Sequence, residues 1–229
     1  MKTIGLIGGM SWESSAEYYR IINEEVKKRL GGLHSARCIL YSVDFHEIEV
    51  CQRNGDWDRT ADILTKTAKS LEAAGADFLI LCTNTMHKVA DDIQAGTNIP
   101  LLHIAEVTGR QVLSQGIKTV GLLGTRYTME QDFYSSRLEE QGLTVLTPHK
   151  PDREIINSII FDELCLGQIV DKSREEFKRV IKDLIAQGAE GIILGCTEIG
   201  LLVKPEDANV PIFDTTLIHA RGAVDYALK

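Results

Sequence analysis

Short apolar runs alternate with longer amphipathic stretches along the whole chain. Residues 78–81, Phe-Leu-Ile-Leu, form one such run. Runs of about four to eight apolar residues are typical of parallel strands buried on both faces, and amphipathic stretches are typical of the helices that cover them. The pattern therefore predicts an α/β fold in which parallel sheets are flanked by helices.

The chain also repeats itself. The matching segments are residues 2–8 with 118–124, 75–85 with 188–198, and 98–103 with 209–214. Self-similarity of this kind indicates an internal duplication. Two copies of roughly 110 residues each have the usual size of a domain. We therefore expect two pseudo-symmetric lobes, residues 1–104 and residues 105–215, with a ligand cleft between them outside the carboxyl ends of the strands.

Composition narrows the class of protein. The formal net charge of −8 provides no basic surface for nucleic acid or anionic lipid. No apolar run approaches the roughly 20 residues that cross a bilayer, and no leader-like segment opens the chain, which favours a cytoplasmic protein without a membrane partner. The five cysteines have no Cys-x-x-Cys spacing, which favours reduced thiols over disulfides or a metal site.

The repeat places Thr83 opposite Cys196, each in a polar loop directly after an apolar run. The first loop, Thr83 to Thr85, offers hydroxyl, amide and backbone N–H groups that can bind a carboxylate. In the second loop the thiol precedes a predicted helix, whose positive end favours the thiolate. Cys196 is therefore a candidate base. The alternative is that it is a small buried apolar residue.

Two further loops follow the first predicted strand of each copy. One contains Met10 and Ser11, and the other contains Thr125 and Thr128. Their backbone N–H groups can bind an anion, or the residues can simply cap helices, and Thr128 with Gln131 has the spacing of a capping box. Neither loop has the glycine spacing of a dinucleotide or nucleotide phosphate site.

Four motifs spread over the whole chain carry a family resemblance. They are Gly8-Gly9-Met10-Ser11, Asn84-Thr85-x-His87, Gly195-Cys196-Thr197-Glu198 and Asp214-Thr215-Thr216-x-x-His219. Together they resemble the aspartate/glutamate racemase family. The resemblance implies a cofactor-independent amino-acid racemase with two pseudo-symmetric lobes, commonly a homodimer, and two cysteines flanking the α-carbon of a small amino-acid substrate. It also implies that the last helix, residues 216–229, packs back on the first lobe.

The chain departs from this family at one position. Thr83 stands where most members have the first catalytic cysteine, and Cys82 precedes it. Since neighbouring side chains of a strand point to opposite faces, we expect Cys82 to face the core and Thr83 to face the substrate. By resemblance, Cys196 is the base for the L-isomer, and Thr83 is the facing proton donor or holds a water that donates.

The resemblance also assigns the substrate's α-carboxylate to Asn84, Thr85 and Thr197, with Thr125 and Thr128 as weaker candidates. Hydrogen-bond donors there stabilise the carbanion that forms when the α-proton leaves. A preference for aspartate or glutamate rests on the resemblance alone.

Other polar residues have more than one interpretation. Gln52 either contacts the substrate or is an exposed loop residue, and Glu198 either positions the thiol, holds the ammonium group or is only an acid in a first helical turn. His87, His103 and His219 are either proton carriers or buried hydrogen-bonding partners, and the second interpretation is favoured because neither metal spacing nor a matching carboxylate stands beside them. Arg53 and Arg126 are the cations nearest these loops. They either bind a side-chain carboxylate of the substrate or are surface residues, which is the default interpretation.

Two other functions stay open at this point. The superfamily includes decarboxylases and isomerases, and some decarboxylases of this kind keep a single cysteine. A non-catalytic two-lobed amino-acid-binding protein, in which Thr83 marks a decayed site, is the third possibility.

Overall fold

The computed structural model describes all residues from Met1 to Lys229. They divide into two compact units. Unit 1 comprises Met1–Ile104 and His219–Lys229, and unit 2 comprises Ala105–Ile218. The first division coincides with the boundary predicted after residue 104. The second lies at Ile218, inside the last helix, and not before residue 216.

Each unit contains one sheet of four parallel strands. The orders are β2-β1-β3-β4 in unit 1 and β6-β5-β7-β8 in unit 2. Each strand of the second sheet thus occupies the place of the strand four numbers earlier in the first, and the predicted α/β fold with a duplicated parallel sheet is confirmed. The strands are β1 Ile4–Gly8, β2 Cys38–Ser42, β3 Phe78–Leu81, β4 Leu101–Leu102, β5 Thr119–Gly124, β6 Thr144–Leu146, β7 Gly191–Gly195 and β8 Ile212–Asp214.

Helices connect successive strands, as parallel pairing requires. The helices are α1 Trp12–Leu30, α2 Phe45–Asn54, α3 Trp57–Ala73, α4 Ala90–Ala95, α5 Ile104–Ser114, α6 Arg126–Glu130, α7 Asp132–Glu139, α8 Lys150–Asp162, α9 Asp171–Ala186, α10 Ile199–Leu202 and α11 Thr215–Ala227. Short 3-10 helices span Thr85–Val89, Leu164–Leu166 and Pro205–Asp207. None of the helices combines the length and the apolar content that a membrane span requires.

The inner strands of each sheet lie in the core. All residues of β1, β3 and β7 are buried. In unit 1 the apolar face of α3, with Leu64 and Leu71, packs into the same cluster as Leu79 of β3. In unit 2, α9 contributes Phe177 and Leu184 to the cluster around β7. Because both faces of the inner strands are covered, polar groups reach the surface only where these strands end.

The last part of α11 belongs to unit 1. The Lys2 N–H donates to the carbonyl of Ala227 at 2.9 Å, and the ring of Tyr226 packs on Phe78 with centroids 4.7 Å apart. The side chain of His219 bonds the carbonyl of Leu102 at 2.8 Å. These contacts attach the last part of α11 to the segment before β1 and to strands β3 and β4 of unit 1.

Candidate active site

The loop that carries Thr83 leaves the sheet of unit 1 directly after β3. The Cys82 N–H still donates to the carbonyl of Ile7 at 2.9 Å, which keeps this residue in register with β1. The Cys82 carbonyl then accepts a hydrogen bond from the Ser14 hydroxyl at 3.0 Å. The loop is therefore fixed at the carboxyl end of β3, beside the first turn of α1.

Cys82 and Thr83 have different environments. The Cys82 side chain is 0% exposed, and burial raises the pKa of its thiol. Thr83 is 8% exposed. Because Cys82 has no exposed surface at which a substrate could contact its thiol, its surroundings favour Thr83 as the loop residue available for chemistry.

The backbone of Thr83 is bonded on both sides. Its N–H donates to the carbonyl of Leu81 at 2.8 Å. Its carbonyl lies 2.8 Å from Nδ1 of the buried His87, one turn further along the chain. The loop is thus a tight turn that the imidazole ring of His87 closes by its hydrogen bond to the Thr83 carbonyl.

The other residues predicted in unit 1 have mixed placements. Asn84 and Thr85 are buried at the start of the 3-10 helix that follows Thr83. Ser11 caps α1, since its hydroxyl accepts from the Ser14 N–H at 3.3 Å. The Met10 side chain belongs to the apolar core cluster. Gln52 is buried within α2, so the interpretation of an exposed loop residue is wrong.

The predicted anion-binding loop before α1 is partly occupied by its own side chains. The Gly9 N–H donates to the Ser15 hydroxyl at 2.8 Å, and that hydroxyl donates to the Ser11 carbonyl at 2.9 Å. The Gly9 N–H is therefore used within the unit, and it stabilises the turn into α1.

The equivalent loop of unit 2 carries Cys196 directly after β7. The Cys196 side chain is 8% exposed, and its thiol donates to Glu198 Oε2 at 3.1 Å. The same carboxylate oxygen accepts from the Thr197 hydroxyl at 2.6 Å. Glu198 is thus in direct contact with the thiol, as one of its three interpretations required.

The expected effect of the helix on Cys196 is wrong. Burial raises the pKa of the thiol well above its ordinary value, and the negative charge of Glu198 and the neighbouring Cys165 raise it further. The helix that follows, α10, has only four residues and begins after Glu198. Its short dipole does not outweigh burial and a carboxylate at hydrogen-bond distance, so the thiol is held protonated with its proton directed to Glu198.

The Thr125 loop lies against the Cys196 loop within unit 2. Thr125 caps α6, and its hydroxyl accepts from the Thr128 N–H at 3.4 Å. A β-carbon added at Gly195, the residue before Cys196, would come within 3.1 Å of Thr128 Cγ2. Thr128 therefore packs closely on the residue preceding the thiol, and a side chain at position 195 would require its neighbours to shift.

The capping box predicted from Thr128 and Gln131 is wrong. The helix begins one turn earlier, with Thr125 as its cap, and Gln131 is the junction between α6 and α7. Thr125 takes the capping position because it is the first residue after β5, where the chain has to leave the sheet.

The arginines and histidines near the loops differ in their exposure. Arg53 pairs with Glu49 and its side chain is 65% exposed. Arg126 is also exposed. The three histidines His87, His103 and His219 are buried. The structure contains no group of three or more His, Cys, Asp or Glu residues arranged to hold a metal ion.

Several residues near the loops could not be assigned from the sequence. The Thr215 hydroxyl donates to the carbonyl of Leu194 at 2.7 Å and so braces the end of β7. The Thr216 hydroxyl is buried without a hydrogen-bond partner, which makes it a further candidate donor in unit 2. Both threonines stand in one of the quoted motifs, but the motif does not say which atoms they contact.

Chemically, each unit presents the same kind of group. A residue that can carry a proton, Thr83 or Cys196, sits at the end of the inner strand and is followed by polar residues. Hydrogen-bond donors beside a proton-transfer group are the equipment for stabilising an anion formed next to a carboxylate.

Comparison with known proteins supports a single family. Residues 7–223 match the family model described as Asp/Glu/Hydantoin racemase. A solved structure from Yersinia pestis, described as a candidate Asp/Glu racemase, is 62% identical over all of both chains with a TM-score of 0.95. An aspartate racemase homologue from Pyrococcus horikoshii OT3 is 38% identical over all of both chains with a TM-score of 0.88. The broad specificity amino-acid racemase RacX of Bacillus subtilis (strain 168) is 25% identical over 96% of each chain.

Proposed function

Because this chain belongs to the Asp/Glu/Hydantoin racemase family, we propose that it is a cofactor-independent racemase that interconverts L- and D-amino acids, with aspartate and glutamate as substrates. Cys196 takes the α-proton of the L-isomer. Thr83, or a water that it holds, supplies the proton on the other side of the α-carbon.

The equivalence of Thr83 and Cys196 carries the proposal. Each residue follows the same inner strand of its own sheet, β3 or β7, and each is followed by a threonine or asparagine. Racemisation removes a proton from one face of the α-carbon and returns one to the opposite face. Two proton-carrying groups from a duplicated unit are the residues that such a reaction requires.

The contact between Cys196 and Glu198 supports the choice of base. The thiol has to lose its proton before it can remove another, and the nearest acceptor is Glu198 Oε2 at 3.1 Å. Transfer to Glu198 generates the thiolate, which then takes the α-proton and becomes a thiol again. Glu198 releases its proton to solvent, and Thr83 or its water regains one from solvent, before the next turnover. The charge left on the substrate spreads from the α-carbon onto the α-carboxylate, so donors at that carboxylate lower the barrier.

Those donors are assigned to residues beside the two proton carriers. Asn84 and Thr85 follow Thr83, and Thr197 follows Cys196. Thr125 and Thr128 are weaker candidates, supported by the packing of Thr128 on Gly195. In unit 1, Met10, Ser11 and Gln52 are placed in the substrate-binding set, Met10 through its backbone because its side chain belongs to the core.

The substrate class is inferred from relatives. The Pyrococcus horikoshii protein is described as an aspartate racemase homologue, and the Bacillus subtilis protein as a racemase of broad specificity. We therefore place aspartate and glutamate first and test other amino acids alongside them.

Thr83 stands where most members of the family have a cysteine, and this difference has a kinetic consequence. A threonine hydroxyl is much less acidic than a thiol, so abstraction from the D-isomer is the harder half of the reaction. Enantiomers have equal free energies, and the two values of kcat/KM must therefore balance. We expect low turnover from the D-side and a limiting reprotonation, but not one-way catalysis.

The test is proton NMR of L-aspartate and L-glutamate in deuterated buffer, with chiral chromatography of the products. Loss of the α-proton signal together with appearance of the D-isomer is expected for the wild-type protein. Both are expected to disappear in Cys196→Ala. The matched control is Cys38→Ala, which removes a partly buried free thiol from β2 of unit 1 and should leave both signals unchanged.

The same experiment separates the other functions. Release of carbon dioxide with loss of the α-carboxylate would indicate a decarboxylase. Ligand binding without α-proton exchange would indicate a binding protein. A Cys196→Ala variant that still exchanges the α-proton would contradict the assignment of the base.

We also propose that the protein is a homodimer. Large apolar side chains are exposed on α1 and on the edge strand β2 of unit 1, namely Trp12 at 67%, Tyr19 at 52%, Leu40 at 43% and Tyr41 at 44%. Exposed apolar groups on an edge strand favour association. Sedimentation of Trp12→Ser/Tyr41→Ser should show a monomer, whereas Leu166→Ser, which removes an exposed leucine of unit 2, should remain dimeric.

A further inference from the structure

Three histidines of unit 1 form a buried cluster that the proposed reaction does not use. The rings of His87 and His103 are 4.5 Å apart between centroids, and those of His87 and His219 are 5.8 Å apart. Tyr18 closes the cluster through its hydroxyl, 2.9 Å from His219 Nδ1. The cluster lies beneath the Thr83 loop, because His87 is bonded to that loop.

The hydrogen bonds determine the tautomer of His87. The Ile104 N–H donates to Nε2 at 3.2 Å, so this nitrogen must carry a lone pair. The Thr83 carbonyl, 2.8 Å from Nδ1, can only accept, so Nδ1 must carry the proton. Burial lowers the pKa of His87 well below its ordinary value, and the neighbouring His103 and His219 lower it further. The ring is therefore neutral and protonated on Nδ1.

This bond fixes the orientation of one peptide group. The carbonyl of Thr83 and the N–H of Asn84 belong to the same peptide, which is trans. In a trans peptide the C=O and N–H bonds point in opposite directions. Holding the carbonyl toward His87 therefore directs the Asn84 N–H away from the histidine cluster. Together with the bond from the Thr83 N–H to the Leu81 carbonyl, it fixes the peptides on both sides of Thr83 and so the direction of its Cα–Cβ bond.

We propose that His87 is a positioning residue for the Thr83 half of the reaction: its Nδ1–H holds the Thr83–Asn84 peptide so that the Thr83 hydroxyl delivers its proton and the Asn84 N–H is aimed at the substrate carboxylate. His87 exchanges no proton with the substrate. This inference rests on the proposed racemase function and extends it to a residue outside the substrate contacts.

Two substitutions separate the two hydrogen bonds of His87. In His87→Asn, the side-chain amide reaches the place of Nδ1 and can still donate to the Thr83 carbonyl. In His87→Gln, the amide reaches the place of Nε2 and can accept from the Ile104 N–H, but the bond to Thr83 is lost. Both remove the ring, so a loss of packing alone affects both.

The readout is a ratio in deuterated buffer with L-aspartate and L-glutamate. Exchange at the α-carbon of the remaining L-isomer reports proton removal and return by Cys196. Formation of the D-isomer reports delivery from the other side. Displacement of a catalytic group by about 1 Å can reduce a rate by about 100-fold, so in His87→Gln the ratio of L-exchange to D-formation should rise by about 10- to 100-fold.

A purely structural role gives a different result. Leu64→Ala, in the apolar core of unit 1, serves as a destabilised control and should reduce exchange and D-formation together. The proposal is supported if His87→Gln raises the ratio and His87→Asn keeps it within about threefold of wild type. It is overturned if the ratio in His87→Gln stays at the wild-type value, or if both variants change it equally. Failure of the proposed function is distinct, since wild-type protein would then exchange no α-proton.

A second measurement needs no variant. Two-bond correlation of ring nitrogens and protons in uniformly labelled wild-type protein reports the tautomer of each histidine. Its assignment through side-chain-to-backbone correlations identifies His87. We expect the proton of His87 on Nδ1 at neutral pH and the proton of His219 on Nε2, since His219 donates to the Leu102 carbonyl. A His87 ring protonated on Nε2 would overturn the proposal even if the variants do not fold.

Discussion

Removal of the charge on Glu198 should increase the ionisation of Cys196. The thiol and the carboxylate oxygen are 3.1 Å apart. After burial, the negative charge of Glu198 is the largest cause of the raised thiol pKa. In Glu198→Gln that charge is absent whereas burial is unchanged, so the thiol pKa should fall and the thiolate should form at lower pH.

The size of the effect follows from the separation of the charges. Two unit charges about 4 Å apart interact by about 4 kcal/mol at an effective dielectric constant of 20 and by about 1 kcal/mol in water. Glu198 is partly exposed, so the interaction lies between these limits. The thiolate population at a fixed pH below the thiol pKa should therefore rise by roughly 5- to 1000-fold.

The assay is the rate of alkylation of Cys196 by iodoacetamide as a function of pH, followed by peptide mass spectrometry. Glu198→Asp, which keeps the charge on a shorter side chain, is the matched control. An alkylation profile of Glu198→Gln that coincides with that of wild type, or that moves to higher pH, would contradict the proposed effect of the Glu198 charge on the Cys196 pKa. Racemisation should nevertheless fall in Glu198→Gln, by about 100-fold or more, because the proton acceptor is lost.

Three other variants test separate parts of the structure. Thr83→Cys should raise turnover from the D-isomer, measured by chiral chromatography, whereas Cys82→Ala should leave it unchanged; the opposite pattern would assign the chemistry to Cys82. Burial lowers the pKa of His219 from 6.5 to about 4, so on acidification this residue takes up a proton in the unfolded chain before it does in the folded protein. The free energy of unfolding should therefore fall by roughly 3 kcal/mol as the pH falls from 6.5 to 4. In urea denaturation, this loss of stability should be smaller in His219→Gln and unchanged in the exposed His149→Gln. Leu184→Ala, in the core of unit 2, should lower the free energy of unfolding by about 2–5 kcal/mol and the melting temperature by several degrees. A melting temperature that falls no further than it does for substitutions at exposed sites would contradict the packing described for α9.

The sequence predicted the fold well because its signals are local. Apolar runs such as Phe78–Leu81 and the amphipathic stretches between them report the period of each element. The repeat then required both halves to adopt the same sheet, and the orders of the two sheets agree. The division at Ile218 lies inside α11, and a helix that continues across a division gives no signal in the pattern.

The candidate site could be predicted from the sequence only in part. The repeat alone pairs Thr83 with Cys196. The thiol's environment was predicted incorrectly, because the sequence shows a following helix but not its length of four residues. Nor does it show whether the Glu198 side chain turns back to the thiol.

The duplicated α/β architecture, the family and the two residues at equivalent strand ends can all be inferred from the amino-acid sequence. These depend on periodicity and on residue identity, which are written along the chain. Three contacts are seen only in the folded structure. Glu198 holds the Cys196 proton, Thr128 packs on Gly195, and His87 holds the Thr83 carbonyl. Each of these depends on side-chain direction and burial, which arise only when separate segments pack against one another.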